Sequence, residues 1–276
     1  MAAVEVRRLL DADQGRVEVL LAAAPVANCF LISRVAAYGV NRCGGDVWGS
    51  FRRGRLRGLV YVGANVVPAG EVAAMAALAS QLRRGPRRGE AIVGPAALVV
   101  ELWEELREHW GPARAERTNQ PLMVADEVPQ ALPDPGVRLA RPDDVGALFE
   151  PSVAMFTEEV GRSPLVNSSE SAYRARLAWL IRSGRLFCRI DDGGVVVFKS
   201  ELAVVGRSVG QLQGVWVAPE FRGRGMAAGA VVASVALARG VAADVSLYVN
   251  DFNTRALRAY RRAGFRQVGR MASIQF

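Results

Sequence analysis

Apolar and polar positions along this chain fall into two similar runs, one on each side of a proline-rich gap. Residues 4–21 (VEVRRLLDADQGRVEVLL) predict a short strand, an acidic helix start and an amphipathic helix. Residues 137–149 (VRLARPDDVGALF) predict the same series, with Asp143 or Asp144 capping the helix. Residues 46–62 alternate like the two strands of a hairpin. So do residues 185–205, which turn at Asp192 and Gly193. Residues 94–111 and 252–264 both read as helices that end on glycine. On this reading matched elements recur at about 133 to 139 residues with negligible identity, which predicts a tandem repeat of one fold. Between the halves, residues 126–136 (DEVPQALPDPG) hold three prolines and a glycine, which end helices and strands on both sides. The expected division is a first domain over 1–126, a linker over 127–136 and a second domain over 137–276.

Composition changes this picture little. At 276 residues the chain exceeds the usual single-domain size, and 51% apolar residues can fill two cores. No apolar stretch is long enough to span a bilayer and no leader-like start is evident, so a cytoplasmic protein is expected, without a membrane partner. Cys29, Cys43 and Cys188 are widely spaced and lack ligand-like neighbours, which argues against a disulfide framework or a metal site. The net charge of +8 is almost all arginine; Lys199 is the only lysine. The arginines are scattered, and the clusters at 52–57 and 83–88 do not interleave with aromatics, which argues against nucleic acid as the partner. An anionic ligand accounts for the charge equally well.

Chemistry concentrates in residues 211–264. A β-branched strand (QLQGVWV, 211–217) runs through Ala218, Pro219 and Glu220 into Arg222-Gly223-Arg224-Gly225-Met226-Ala227-Ala228, and a small-residue helix follows. A strand, a glycine-rich turn and a helix start form an anion site: the N–H groups converge, the dipole adds positive charge, and Gly, Ala and Ala keep side-chain bulk away. An ordinary tight turn with solvated arginines reads the same way on the turn alone. Further on stands N-x-x-A-x-x-x-Y-x-x-x-G-F, made by Asn253, Ala256, Tyr260, Gly264 and Phe265.

The pair of motifs, in this order and each joined to the right strand and helix, resembles the acyl-CoA site of the GNAT superfamily over residues 137–276. The likeness is to members with an N-terminal companion domain, with a second half like glycine N-acyltransferase. The resemblance implies an α/β (α+β) fold: tandem GNAT-like domains, each a mixed, mostly antiparallel sheet flanked by helices, the N-terminal copy degenerate. It implies an N-acyltransferase using acetyl-CoA, or another acyl-CoA, and a primary amine as acceptor, on a small molecule, a peptide or a protein. The backbone at Val215, Trp216 and Val217 would bind the pantetheine arm, residues 222–228 the pyrophosphate, and Asn253 and Ala256 the arm from the second helix. Tyr260 would protonate the leaving thiolate. On the residues alone, Trp216 reads as core packing, Asn253 as a helix N-cap, and Tyr260 as a rim aromatic.

The acceptor side departs from the family. Many members carry a glutamate on the strand before the loop, where this chain has Gln211 and Gln213. The base must come from elsewhere. Glu158 and Glu159, in FTEEVG at the end of a helical run, are candidates, against the alternative of a solvated acidic turn, and Glu201 in FKSE is a third. Lys199 and Glu201 share one strand face and read as an exposed ion pair. His109 reads as a surface helix residue. The first half has no such loop at residues 67–74 (VPAGEVAA), so its donor site is expected to be lost. A non-catalytic acyl-CoA-binding regulator is the alternative function, and monomer and homodimer remain open.

Overall fold

The computed structural model describes residues 4–166 and 168–276. The first series of elements is β1 (Val4–Arg8), α1 (Gln14–Ala22), α2 (Cys29–Tyr38), β2 (Asp46–Arg52), β3 (Arg55–Val62), β4 (Val66–Gly70), α3 (Met75–Leu82), β5 (Ala91–Pro95), α4 (Ala96–Trp110) and β6 (Ala115–Ala125). The second is β7 (Arg138–Leu139), α5 (Val145–Val160), α6 (Glu170–Arg182), β8 (Leu186–Ile190), β9 (Val196–Gly206), β10 (Val209–Val217), α7 (Met226–Ala238), β11 (Asp244–Tyr248), α8 (Thr254–Arg262) and β12 (Phe265–Gln275). The order repeats element for element, which bears out the tandem reading. The offset is not constant, however. It grows from 134 residues between Val4 and Arg138 to 158 between Ala96 and Thr254, because α5, β9, β10 and the turn before α7 are all longer than their counterparts.

Each copy opens on the same clamp. In the first, the Arg7 guanidinium donates to both Asp13 oxygens at 2.7 Å, and Asp13 also accepts the Leu10 N–H at 3.2 Å. In the second, Arg138 donates to Asp144 at 2.7 and 3.1 Å, and Asp144 accepts the Arg141 N–H at 2.6 Å. One carboxylate thus ties the strand to the 3-10 turn that starts the following helix, and does so through charge-assisted bonds. The expected cap is therefore Asp144, acting on the turn at Pro142–Asp144 rather than on α5 itself. In both copies the arginine holds the carboxyl well below its ordinary range, against the upward push of burial.

Two compact units result. One comprises residues up to Leu122 with Tyr248–Phe252 and Gln267–Phe276; the other comprises Met123–Leu247 with Asn253–Arg266. In the first, β1 to β4 pair antiparallel in sequence order, β4 meets β5 in parallel, and residues 271–275 of β12 close on β5. Helices cover both faces: Val17, Leu21, Leu31 and Val35 pack with Leu59 and Tyr61, while Met75, Leu78, Leu102 and Trp103 pack with Ile92 and Ile274. In the second unit β7 to β10 run antiparallel and β10 meets β11 in parallel. Leu148, Phe149 and Met155 of α5 and Tyr173, Leu177 and Leu180 of α6 fill one face of this sheet. The segment before β7 lies on the second unit by its backbone: the Glu127 N–H bonds the Gly264 carbonyl, Gln130 bonds Arg262, and Asp134 bonds Gly229. A Cβ at Gly229 would stand 2.8 Å from the Leu132 carbonyl, so α7 needs glycine where this segment crosses it.

The clamp makes a testable demand. Asp13→Asn and Asp144→Asn should each lower stability by roughly 1–3 kcal/mol near neutral pH. Because the folded carboxyls titrate below their unfolded values, this stability is present above about pH 4 and fades as pH falls towards the folded value. Urea unfolding at pH 7 and pH 3 reads it; a wild-type-to-variant difference that is the same at both would be inconsistent with the clamp.

Candidate functional site

The site begins where two neighbouring strands part. β10 pairs with β11 only at Val209, Gly210 and Gln211, opposite Asp244, Val245 and Ser246. It then runs on to Val217 beside β9 alone, with its register slipping between Gln213 and Trp216. Gly214 sits in that bulge at φ +57°, where an added Cβ would lie 2.9 Å from the Met155 methyl. A bulge of this kind bends one strand and leaves backbone groups off the ladder. The β11-facing edge at Val215 and Val217 is thus released, and both side chains are half-buried. Trp216 turns the other way into the α5–α6 core, where its indole N–H finds no partner among the described residues.

After β10 a 3-10 turn at Pro219–Phe221 leads to Gly223 (φ +78°) and Gly225 (φ +80°). Gly225 is the N-cap of α7, and no side chain bonds the first N–H groups of that 13-residue helix. A Cβ at Gly223 or Gly225 would meet nothing within 4 Å, so the space before the helix start is open. Met226 and Ala227 are half-buried and Ala228 is buried behind them. An uncapped helix start facing open space, beside arginines, has the chemistry to hold an anion. The two arginines differ. Arg222 folds back: its Nε donates to the Val217 carbonyl at 2.8 Å, and its Nη2 to the two Glu158 oxygens at 3.0 and 2.9 Å. Arg224 lies over the Phe221 ring at 5.4 Å.

α8 supplies the third component. Asn253 caps it, its Oδ1 accepting the Ala256 N–H at 3.1 Å, which is the cap read from sequence. Two turns on, Tyr260 is buried with its ring 5.9 Å from that of Phe265. Burial, and secondly the charge of Glu159, push its phenol up, so the group stays protonated. In the last turn of α5, Glu158 reaches Arg222, and the charge of Glu159 acts on the Tyr260 phenol.

Residues 153–265 match the Acetyltransferase (GNAT) family. Residues 45–148 match a domain of unknown function (DUF4081). Among solved structures, the chain is similar over 99% of its length to a GCN5-related N-acetyltransferase from Sphaerobacter thermophilus, with TM-score 0.65, 17% identity and 95% of that chain covered. It is also similar to a GNAT-family acetyltransferase from Colwellia psychrerythraea (TM-score 0.59, 14% identity, 99% of each chain). A third is a tandem GNAT protein from the clavulanic acid biosynthesis pathway (TM-score 0.57, 13% identity, covering 99% of this chain and 98% of that one). These likenesses bear out the tandem fold. No curated protein matches the chain.

One expectation for the second unit is overturned. Lys199 and Glu201 do pair, at 2.7 Å, but both are buried: the Lys199 side chain is 0% and the Glu201 side chain 2% exposed. Strand alternation could not reveal this, because the first seven residues of β9 are buried on both faces. Arg176 of α6 closes on the other Glu201 oxygen at 2.7 Å, and Lys199 also donates to Ser152 Oγ at 3.1 Å. Burial pushes the Glu201 carboxyl up, but Lys199 and Arg176 outweigh it and bring it down to about 2. Glu201 is thus a poor base. Arg176 and Ser152 carried no sequence signal of their own; the single lysine in an arginine-rich chain was the available hint.

Among the described residues, the first unit lacks the features that the second unit brings together at the start of α7. Only four residues, 71–74, separate β4 from α3, against the eight, 218–225, that separate β10 from α7, and Glu71 there pairs with Arg57. Counted back from the strand end, Pro68 stands where Val215 does and has no N–H to offer; a Cβ at Gly94 would lie 3.2 Å from its ring. Counted from the helix N-cap, Pro95 and Leu102 replace Asn253 and Tyr260. His109 is exposed near the end of α4, as read from sequence. Among the described residues there is no metal-binding cluster, and no helix is long and apolar enough to cross a membrane. All three cysteines are free and buried.

Breaking the buried cluster should be costly. Glu201→Ala leaves Lys199 in the core without its counter-ion, and a loss of roughly 3–5 kcal/mol is expected in chemical denaturation. A loss below about 1 kcal/mol, the scale of a surface pair, would contradict the burial described.

Proposed function

We propose that the protein is an acyl-CoA-dependent N-acyltransferase, with acetyl-CoA as donor and a primary amine as acceptor, and that its second unit carries the reaction. One observation carries this reading: the released edge of β10 leads through the glycine turn into the open start of α7, and α7 packs on the helix that is headed by Asn253 and bears Tyr260. The space over Gly223 and Gly225 and the uncapped α7 N–H groups suit a pyrophosphate, and the residues fit coenzyme A. When bound, acetyl-CoA supplies an electrophilic thioester carbonyl.

The chain's own residues then have the following roles. The N–H groups of residues 222–228, with Gly223, Arg224, Gly225, Met226, Ala227 and Ala228 lining the turn, hold the phosphates. Backbone groups of Val215, Trp216 and Val217 hold the pantetheine arm as an added strand would. The Asn253 side-chain amide, beside Ala256, orients the arm. Tyr260, kept protonated, donates its proton to the sulfur as the C–S bond breaks. Glu159 takes the proton that the amine loses as the C–N bond forms. Gln211 and Gln213 cannot do so. A binding protein without turnover shares this donor site but releases no thiol, so thiol detection during an acceptor screen separates the two.

Two variants test the assignment. Arg222→Glu combined with Gly225→Asp puts two carboxylates at the helix start, and coenzyme A binding should be lost; unchanged affinity in calorimetry would remove the loop from the site. Tyr260→Phe should lower kcat by about 10²–10⁴-fold while the KM for acetyl-CoA changes far less. Unaltered turnover would assign the proton to another donor.

A further inference from the structure

Glu158 sits where its own helix does not favour it. It lies in the last turn of the 16-residue α5, where the helix dipole presents negative charge, and that turn contains no basic residue. Gly161, at φ +82°, ends the helix directly afterwards. The compensation comes from 64 residues away: Arg222 Nη2 donates to both Glu158 oxygens while its Nε is held by the Val217 carbonyl. Arg222 belongs to the turn that opens α7, so a carboxylate of the chain already occupies a guanidinium of that turn. A phosphate oxygen pair and a carboxylate make the same contact with a guanidinium.

We propose that Glu158 is an internal competitor for the donor's pyrophosphate and sets the affinity of the donor site. The proposal rests on the acyl-CoA reading of residues 222–228. Both partners are part-exposed, with side chains 39% and 49% open to solvent, so the pair is weak enough for a charged ligand to displace. The donor binds by taking Arg222 from Glu158, and its apparent affinity is lowered by the fraction of molecules in which the pair is closed. Displacement also releases the end of α5, the turn that carries Glu159. Donor binding and the setting of that turn are coupled through one ion pair.

The test is the Kd of coenzyme A, measured by calorimetry at low salt for the wild type, Glu158→Gln and Glu220→Gln. Glu220 is an exposed acid on the same loop, and its removal changes net charge equally without touching Arg222. Glu158→Gln should bind coenzyme A roughly two- to five-fold more tightly, beyond any change in Glu220→Gln, and the gain should shrink at high salt. Equal or weaker binding by Glu158→Gln, or a gain that Glu220→Gln reproduces, overturns the competitor while leaving the donor site intact. If all three proteins fail to bind coenzyme A, the functional reading falls and the competitor falls with it.

Discussion

The geometry of the second unit depends on β10 leaving β11 after three pairs. A parallel pair that continued to Val217 would consume the backbone groups at Val215 and Val217 and close the space before α7. The bulge that accompanies the parting needs a residue at positive φ with no Cβ, and Gly214 meets both requirements. Behind it stand Lys199 and Glu201, each 3.4 Å from where a Cβ would be. The irregular stretch of β10 therefore lies against a buried, fully paired charge cluster rather than against deformable aliphatic packing. Such a cluster contributes little net stability over an apolar substitute, but it tolerates few alternative arrangements.

The two copies show which parts of the fold are scaffold and which are site. The clamp between strand and helix start is kept in both, down to the six-residue spacing of Arg7 to Asp13 and Arg138 to Asp144. What differs lies at the ends of β4 and β10 and at the starts of the helices after them. In the first copy a proline replaces a strand N–H, a glutamate replaces the arginines, and a leucine replaces the tyrosine. None of these changes disturbs the sheet, whose core clusters remain complete.

Much of this was legible in the sequence, for identifiable reasons. Glycines at 223 and 225, small residues after them, and the spacing from Asn253 to Tyr260 report backbone geometry, which sequence encodes locally. The repeat was visible in the order of elements, while its offset was misjudged because lengthened strands and helices carry no mark of their own. The face of β9 was not legible, because alternation fails when both faces are buried, and so Glu201 was misplaced at the surface. The clamp was missed as well. An arginine and an aspartate six residues apart across a strand end and a turn have no periodicity to reveal them, and only the fold brings them together.

The charged groups around the site divide by strength in a way that suits a reaction with a mobile donor. Lys199, Glu201 and Arg176, at the bulge, form a cluster whose breaking costs about 3–5 kcal/mol, and so they hold one geometry. Arg222 and Glu158, at the entrance to the anion site, form a half-exposed pair worth about 0–1 kcal/mol, and so they can exchange partners at each encounter with ligand. A strong pair at the entrance would exclude phosphate, and a weak one at the bulge would let β10 regain its register with β11. The same two chemical groups, a carboxylate and a cation, thus serve as frame in one place and as gate in the other. Solvent exposure alone decides between them.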